Sequence, residues 1–253
     1  MLRKFSALKN FTLAARDGHI GKVKELYFDD QSWRVRYLVL NTGGWLRGRQ
    51  VLIAPRALGA IDEEHEVIAV HLTREQVEKS PTIDFDKPLS RQHEERWHRH
   101  FGYSGYWLNA DPMGLGMMVP LAEPTVAVPA EDAEGSDDPH LRSTDEVFGY
   151  SIHATNGDLG HLDDFLVDEE DWNIRYLVIS RSRWSGDKVV LAPDWVEMVS
   201  WDDERVSVSI TREKIKEAPV WDDNEPMTRE FEELLYEHYG REHYWPSAAS
   251  ATR

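Results

Sequence analysis

Trp33-Arg34-Val35-Arg36-Tyr37-Leu38-Val39 reappears as Trp172-Asn173-Ile174-Arg175-Tyr176-Leu177-Val178, displaced by 139 positions. Apolar side chains fall on both sets of alternating positions, so a strand here is covered on both faces. Working outward, the same displacement aligns Gly18 with Gly157, Gly21 with Gly160, Asp29 with Asp168 and Trp45 with Trp184. The second copy then lacks one residue. A displacement of 138 next aligns Ala54-Pro55 with Ala192-Pro193, Thr73-Arg74-Glu75 with Thr211-Arg212-Glu213, Pro88 with Pro226, and Tyr106-Trp107 with Tyr244-Trp245. A register held over about a hundred residues per copy marks a tandem duplication.

Each copy reads as sheet followed by helix. Asp17-Gly18 and Asn156-Gly157 suit a type I′ hairpin turn. That turn would join a strand over Phe11–Ala15 to a bent strand over His19–Phe28, with Gly21 and Gly160 at a bulge. Val51–Ile53 and Ala57–Ile61 flank Pro55, and Ile68, Val70 and Leu72 alternate, as do Val206, Val208 and Ile210. Six short strands at close intervals predict a small barrel or a strongly coiled sheet. Ser90 and Thr228 are N-cap residues for a following helix. Phe231, Leu235 and Tyr239 form its apolar stripe, and His93, Trp97 and Phe101 stand at the matching positions. A glycine ends each helix.

The expected architecture is mainly β: two tandem small six-stranded barrels, each followed by an α-helix. The first repeat spans 1–107, a linker 108–144, the second repeat 145–246 and a tail 247–253. The linker holds five of the twelve prolines. Glu131–Pro139 within it is acidic and reads as solvated. Met113–Val128, which includes Met117 and Met118, is too apolar for that. It either lies on a groove of its own protein or is offered to a partner.

Composition narrows the function. Against 46 Asp and Glu stand 29 Lys and Arg, for a net charge of −17 over 253 residues. Such a chain repels a phosphate backbone, so nucleic acid is not an expected partner. Without cysteine there is no disulfide, thiolate metal site or thiol nucleophile. No apolar run reaches the roughly 18 residues that span a bilayer, and the N-terminus has no signal-peptide pattern, so the expected location is cytoplasmic.

With Trp33 to Val39 come Thr42-Gly43-Gly44-Trp45-Leu46, Val51-Leu52-Ile53-Ala54-Pro55, and upstream Asp17-Gly18-x-x-Gly21-Lys22-Val23 and Phe28-Asp29-Asp30. This combination resembles the PRC-barrel domain family, related to the cytoplasmic domain of the photosynthetic reaction centre H subunit. Copy two resembles it as well, except that Arg181-Ser182-Arg183 replaces the Thr-Gly-Gly element. The resemblance implies a six-stranded β-barrel that dimerises or docks with other proteins, and it does not imply catalysis.

Several residues invite a functional and a structural reading. Trp45 and Trp184 could stack on a ligand or partner; the favoured reading is that, with Trp33 and Trp172, they close the barrels, because a small barrel leaves little interior volume for a ligand. Arg36 and Arg175 could receive an anion; the structural reading pairs them with Asp29 and Asp168, and it is favoured. Asp29-Asp30 and Asp168–Asp171 could hold a hard cation, but a solvated acidic turn accounts for them. His93, His98 and His100 lack the spacing of zinc ligands on one helix face. Gly18, Gly157, Trp33, Trp172, Tyr37 and Tyr176 read as structural. The sequence contains no P-loop, no G-x-S-x-G and no cysteine nucleophile. The expectation is a non-enzymatic protein-binding or scaffolding module without cofactor or metal, its binding residues drawn from Arg36, Arg175, Trp45, Trp184, Met117 and Met118. The alternative is a sensor for a small anion or divalent cation. The expected state is a monomer with an internal pseudo-dimer, or a homodimer.

Overall fold

The computed structural model describes residues 1–81, 89, 91–103, 140–181 and 187–245, with Arg91, Gln92 and His93 described in backbone alone. Repeat one contains β1 (Leu2–Lys4), α1 (Phe5–Leu8), β2 (Thr12–Ala15), β3 (Gly18–Asp29), β4 (Val35–Asn41) and β5 (Gln50–Ile53). A 3-10 turn (Pro55–Ala57), β6 (Leu58–Asp62), β7 (Val67–Val70), α2 (Arg74–Glu78) and α3 (Arg91–Phe101) follow. Repeat two runs β8 (Leu141–Ser143), α4 (Thr144–Val147), β9 (Ser151–Ala154), β10 (Gly157–Asp168), β11 (Ile174–Ser180) and β12 (Lys188–Leu191). It closes with a 3-10 turn (Pro193–Trp195), β13 (Val196–Ser200), β14 (Arg205–Val208), α5 (Arg212–Lys216) and α6 (Arg229–Tyr239).

The two sheets have the same order, β5-β4-β3-β2-β7-β6 and β12-β11-β10-β9-β14-β13, with β2·β7 and β9·β14 parallel and the remaining pairs antiparallel. Closed six-stranded barrels do not form among the described residues: each sheet is mixed and has seven strands. The terminal strands β5 and β6 are joined through the Pro55 turn, where proline offers no N–H to a ladder and the chain turns a corner.

The seventh strand of each sheet comes from the other repeat. β1 pairs with β10, Leu2 facing Asp168 and Lys4 facing Leu166. Reciprocally β8 pairs with β3, Leu141 facing Asp29 and Ser143 facing Tyr27. Leu141–Ser143, within the stretch expected to be linker, is therefore part of the first sheet. The duplication reaches it too, since Leu2-Arg3 and Leu141-Arg142 stand 139 apart. Phe5, Leu8, Phe28, Phe165 and Val147 consequently share one core that crosses the joint.

Local expectations are met with instructive shifts. β4 is covered on both faces: Leu38 and Leu40 enter the shared core, while Tyr37 and Val39 pack with Leu52, Ala54 and Trp97 beneath α3. β3 is bent, with a register break where Leu13 and Ala14 face Gly21 and His19. Gly21 is needed for close approach, because a Cβ there would lie 2.6 Å from the Asn41 carbonyl oxygen; at Gly160 it would lie 2.1 Å from that of Ser180. The hairpin turn differs from expectation. Ala15 pairs with Gly18, so Arg16 and Asp17 are the turn residues, and neither they nor Thr155 and Asn156 have positive φ, which rules out type I′. Asp17 and Asn156 serve another end: their Oδ1 atoms accept from the Arg74 and Arg212 amides at 2.7 and 2.8 Å, the first residues of α2 and α5. Thr228 caps α6 by accepting from the Phe231 amide, and Gly240 ends it in the left-handed conformation. The proposed cap Ser90 lies outside the described residues.

Candidate functional site

Repeat one carries an open groove of about 740 Å³. Lys9, His19, Lys22 and Lys24 line it together with Trp45, Thr42 and Asp145. β3 supplies His19, Lys22 and Lys24, Lys9 follows α1, and α4 of the other repeat supplies Asp145, so both repeats contribute to the walls. Trp45 is held by a tightly turned loop. The Gly43 amide donates to Asn41 Oδ1 at 3.0 Å, Thr42 Oγ1 donates to the Arg49 carbonyl at 2.6 Å, and the Gly48 amide donates to the Gly43 carbonyl at 2.6 Å. Arg49 ties the loop to the end of α2 through the Glu78 and Pro81 carbonyls.

Beside the groove the Arg74 guanidinium lies 4.5 Å from the Trp45 ring centre. Its backbone is fixed by Asp17 and by the Thr73–Gln76 capping box. Arg74 and Lys22 form no ion pair among the described residues. Lys9 meets Asp145 at 2.7 Å and Lys24 meets Glu25 at 2.8 Å. Glu25 is itself buried and accepts from Ser143 of the exchanged strand.

The other expected site residues lie elsewhere. Arg36 and Arg175 sit on β4 and β11, within 3.2 Å of Asp29 and 3.3 Å of Asp168; Arg175 also meets Asp171 and lies over Tyr244. The acidic runs are not simply solvated. Asp30 receives Arg142 at 2.6 Å and His140 at 3.0 Å, and Glu169 receives Arg3, both arginines arriving on exchanged strands. Trp33 and Trp172 do not close barrels; they sit at the joint, Trp33 stacked on Phe28 with ring centres 5.5 Å apart and edge-on to Phe165 at 6.3 Å. Trp184, Met117 and Met118 lie outside the described residues.

Tyr37 and Tyr176 anchor the terminal helices. Tyr37 Oη donates to buried Glu94 at 2.8 Å and is 2.8 Å from His98 Nε2; Tyr176 Oη donates to buried Glu232 at 2.7 Å. His98 is thus a core histidine, while exposed His100 contacts the Gln76 carbonyl. His93's side chain lies outside the described residues. Sequence reasoning missed the acids Glu94 and Glu232 and the exchanged arginines Arg3 and Arg142. The signal was present, since Glu94 and Glu232 stand 138 apart and Arg3 and Arg142 stand 139 apart.

Residues 4–77 match the family model of the PRC-barrel domain. No curated protein matches the chain. Among the described residues no helix is long and apolar enough to cross a membrane.

Proposed function

With the first repeat a PRC-barrel domain, we propose that this chain is a non-enzymatic protein-binding module that presents the Trp45 groove on an internally paired, two-sheet body. One observation carries this reading. Most residues common to both copies are spent on the fold: glycines at close approaches, Trp33 and Trp172 at the joint, Arg–Asp pairs, and Tyr–Glu anchors under the helices; Trp45 and Arg74, which match Trp184 and Arg212, stand at the groove. The groove has instead diverged, Lys9, His19, Lys22 and Lys24 standing against Phe148, Asp158, His161 and Asp163. Loss of the lysines from one copy at an open surface fits recognition better than chemistry, which needs converging groups in a closed pocket. The Arg-paired acidic turns also leave little carboxylate free for a divalent cation. Affinity capture with the full chain tests the reading. A partner retained in stoichiometric amount and confirmed with purified components is expected; a chain that retains no protein overturns it.

A further inference from the structure

We propose that the groove beside Trp45 receives an acidic peptide segment of the partner, its carboxylates meeting Arg74 and Lys22; this rests on the protein-binding reading above. The chain as a whole carries −17, so a local concentration of cations facing one open concavity runs against its average field. Three lysines and His19 line the groove against one lining acid, Asp145. At the equivalent positions of the second repeat stand Asp158, His161 and Asp163, and Asp163 is neutralised by Lys188. The β3 lysines therefore belong to one copy only, whereas Arg74 has a counterpart in Arg212, which faces Asp158 instead of a lysine-lined groove.

Two of the cations are uncommitted. Lys22 is exposed and, among the described residues, unpaired. Arg74 is half-buried, its guanidinium carbon 4.5 Å from the Trp45 ring centre, and it forms no ion pair among the described residues. A guanidinium held over an indole by cation–π attraction still directs its N–H groups outward in its own plane, and with Nε buried the Nη1/Nη2 edge is the one from which a carboxylate can accept two parallel hydrogen bonds. Stacking also fixes the fork before the ligand arrives, which lowers the entropic cost of binding. Lys9 and Lys24, already paired with Asp145 and Glu25, hold the walls and add field. Trp45 supplies apolar area for one uncharged side chain among the acids. An open concavity of about 740 Å³ has room for a short peptide segment.

The test is fluorescence polarisation with a fluorescein-labelled hexapeptide, Glu-Asp-Glu-Phe-Asp-Glu, and the full chain. Saturable binding is expected that weakens as salt rises from about 50 to 300 mM. Lys22→Glu and Arg74→Gln should each weaken it by about tenfold or more, with circular dichroism unchanged. An acid placed at the equivalent position of the second repeat, His161→Glu, should leave it intact. No binding to the wild-type chain, or equal binding by Lys22→Glu and Arg74→Gln, overturns the proposal. Displacement by inorganic phosphate or a thymidine oligonucleotide at lower concentration than by unlabelled peptide overturns it too, assigning the groove to another anion. Capture of the native partner by wild-type chain and by Lys22→Glu alike removes this inference and leaves the binding reading standing. Failure of capture by the wild-type chain removes that reading.

Discussion

The Trp33 carbonyl accepts the Ile174 amide at 2.8 Å, so the two repeats are joined through main chain as well as side chains. The Trp172 carbonyl accepts the Val35 amide at 2.9 Å, which repeats the contact about a pseudo-two-fold axis. Both tryptophans hold left-handed backbone, φ 53° and 57°, a conformation that bulky residues adopt only when surroundings enforce it. The reciprocal hydrogen bonds at both, and stacking on Phe28 at Trp33, are those surroundings. The joint is thus a built interface with exchanged strands on either side of it.

The exchange makes a prediction about covalent continuity. A protease site inserted within 108–139 and cleaved should leave both halves in one particle of about the mass of the intact chain. Each half keeps a strand in the other's sheet, and the shared core stays buried. Size exclusion with light scattering checks this; separation into free halves without denaturant would show that the exchanged strands contribute little.

Gly160→Ala should destabilise the second repeat by about 2 kcal/mol or more. Its φ is +62°, and the new Cβ would lie 2.1 Å from the Ser180 carbonyl oxygen, a backbone atom that cannot swing aside. Urea unfolding measures the loss. A change below about 0.5 kcal/mol would mean that β10 and β11 approach less closely than described.

Tyr176→Phe removes one donor from Glu232, which is 3 % exposed and keeps Tyr244 and Arg229, each at 3.0 Å. The expected cost is about 1–3 kcal/mol, the penalty of an acid left under-satisfied. Burial, with Tyr236 and Glu232 nearby, holds the Tyr176 phenol far above the usual range, and burial with Glu232 pushes Tyr244 up to about 12. Ultraviolet titration should accordingly show these two phenols protonated until the chain unfolds; ionisation near pH 10 in the folded state would contradict their enclosure.

Two carboxylates should pull the pH dependence of stability in opposite directions. Burial raises the Asp29 carboxyl, but the Ser32 amide and Arg36 outweigh it, and the folded group ionises below the usual range. Its stabilisation is complete above the unfolded value of about 3.9 and is lost as pH falls through the lower folded value. Asp29→Asn should therefore be less stable than wild type at pH 6, and the deficit should shrink in acid.

Asp164 is the reverse case. Desolvation raises its carboxyl despite hydrogen bonds from Ser6 and Phe165. The folded state then holds the proton more tightly, and ionisation costs stability as pH rises from about 3.9 through the folded value. Asp164→Asn keeps an oxygen acceptor for the Ser6 and Phe165 amides, and its gain over wild type should grow across that window. A pH-independent difference would remove the assignment. Chemical denaturation from pH 3 to 7 reads both variants.

Much of this molecule was legible in short stretches of sequence, for a physical reason. Turn residues, helix caps and alternation act over a few positions, so duplicated letters at 139 and 138 report duplicated local structure. The both-faced burial of β4, the bend at Gly21 and the Thr228 cap followed from that. The type I′ reading failed at Asp17 because the same side chain that favours left-handed turns also accepts hydrogen bonds, and here a distant amide, that of Arg74, claims it. Likewise the acidic turns looked solvated because their partners, Arg3 and Arg142, are far away in sequence.

The candidate groove was only partly legible: Trp45 was singled out, whereas Lys22, Arg74 and Asp145 come together only in space. What the sequence by itself determined is the duplication, the strands and the helix that ends each repeat. What the tertiary structure decided is which sheet each leading strand joins. Leu2-Arg3 and Leu141-Arg142 carry the same letters and face equivalent edges, Asp168-Glu169 and Asp29-Asp30. Equivalent local chemistry cannot distinguish docking on one's own repeat from docking on the other. Only chain geometry and the common core behind those edges choose the exchange.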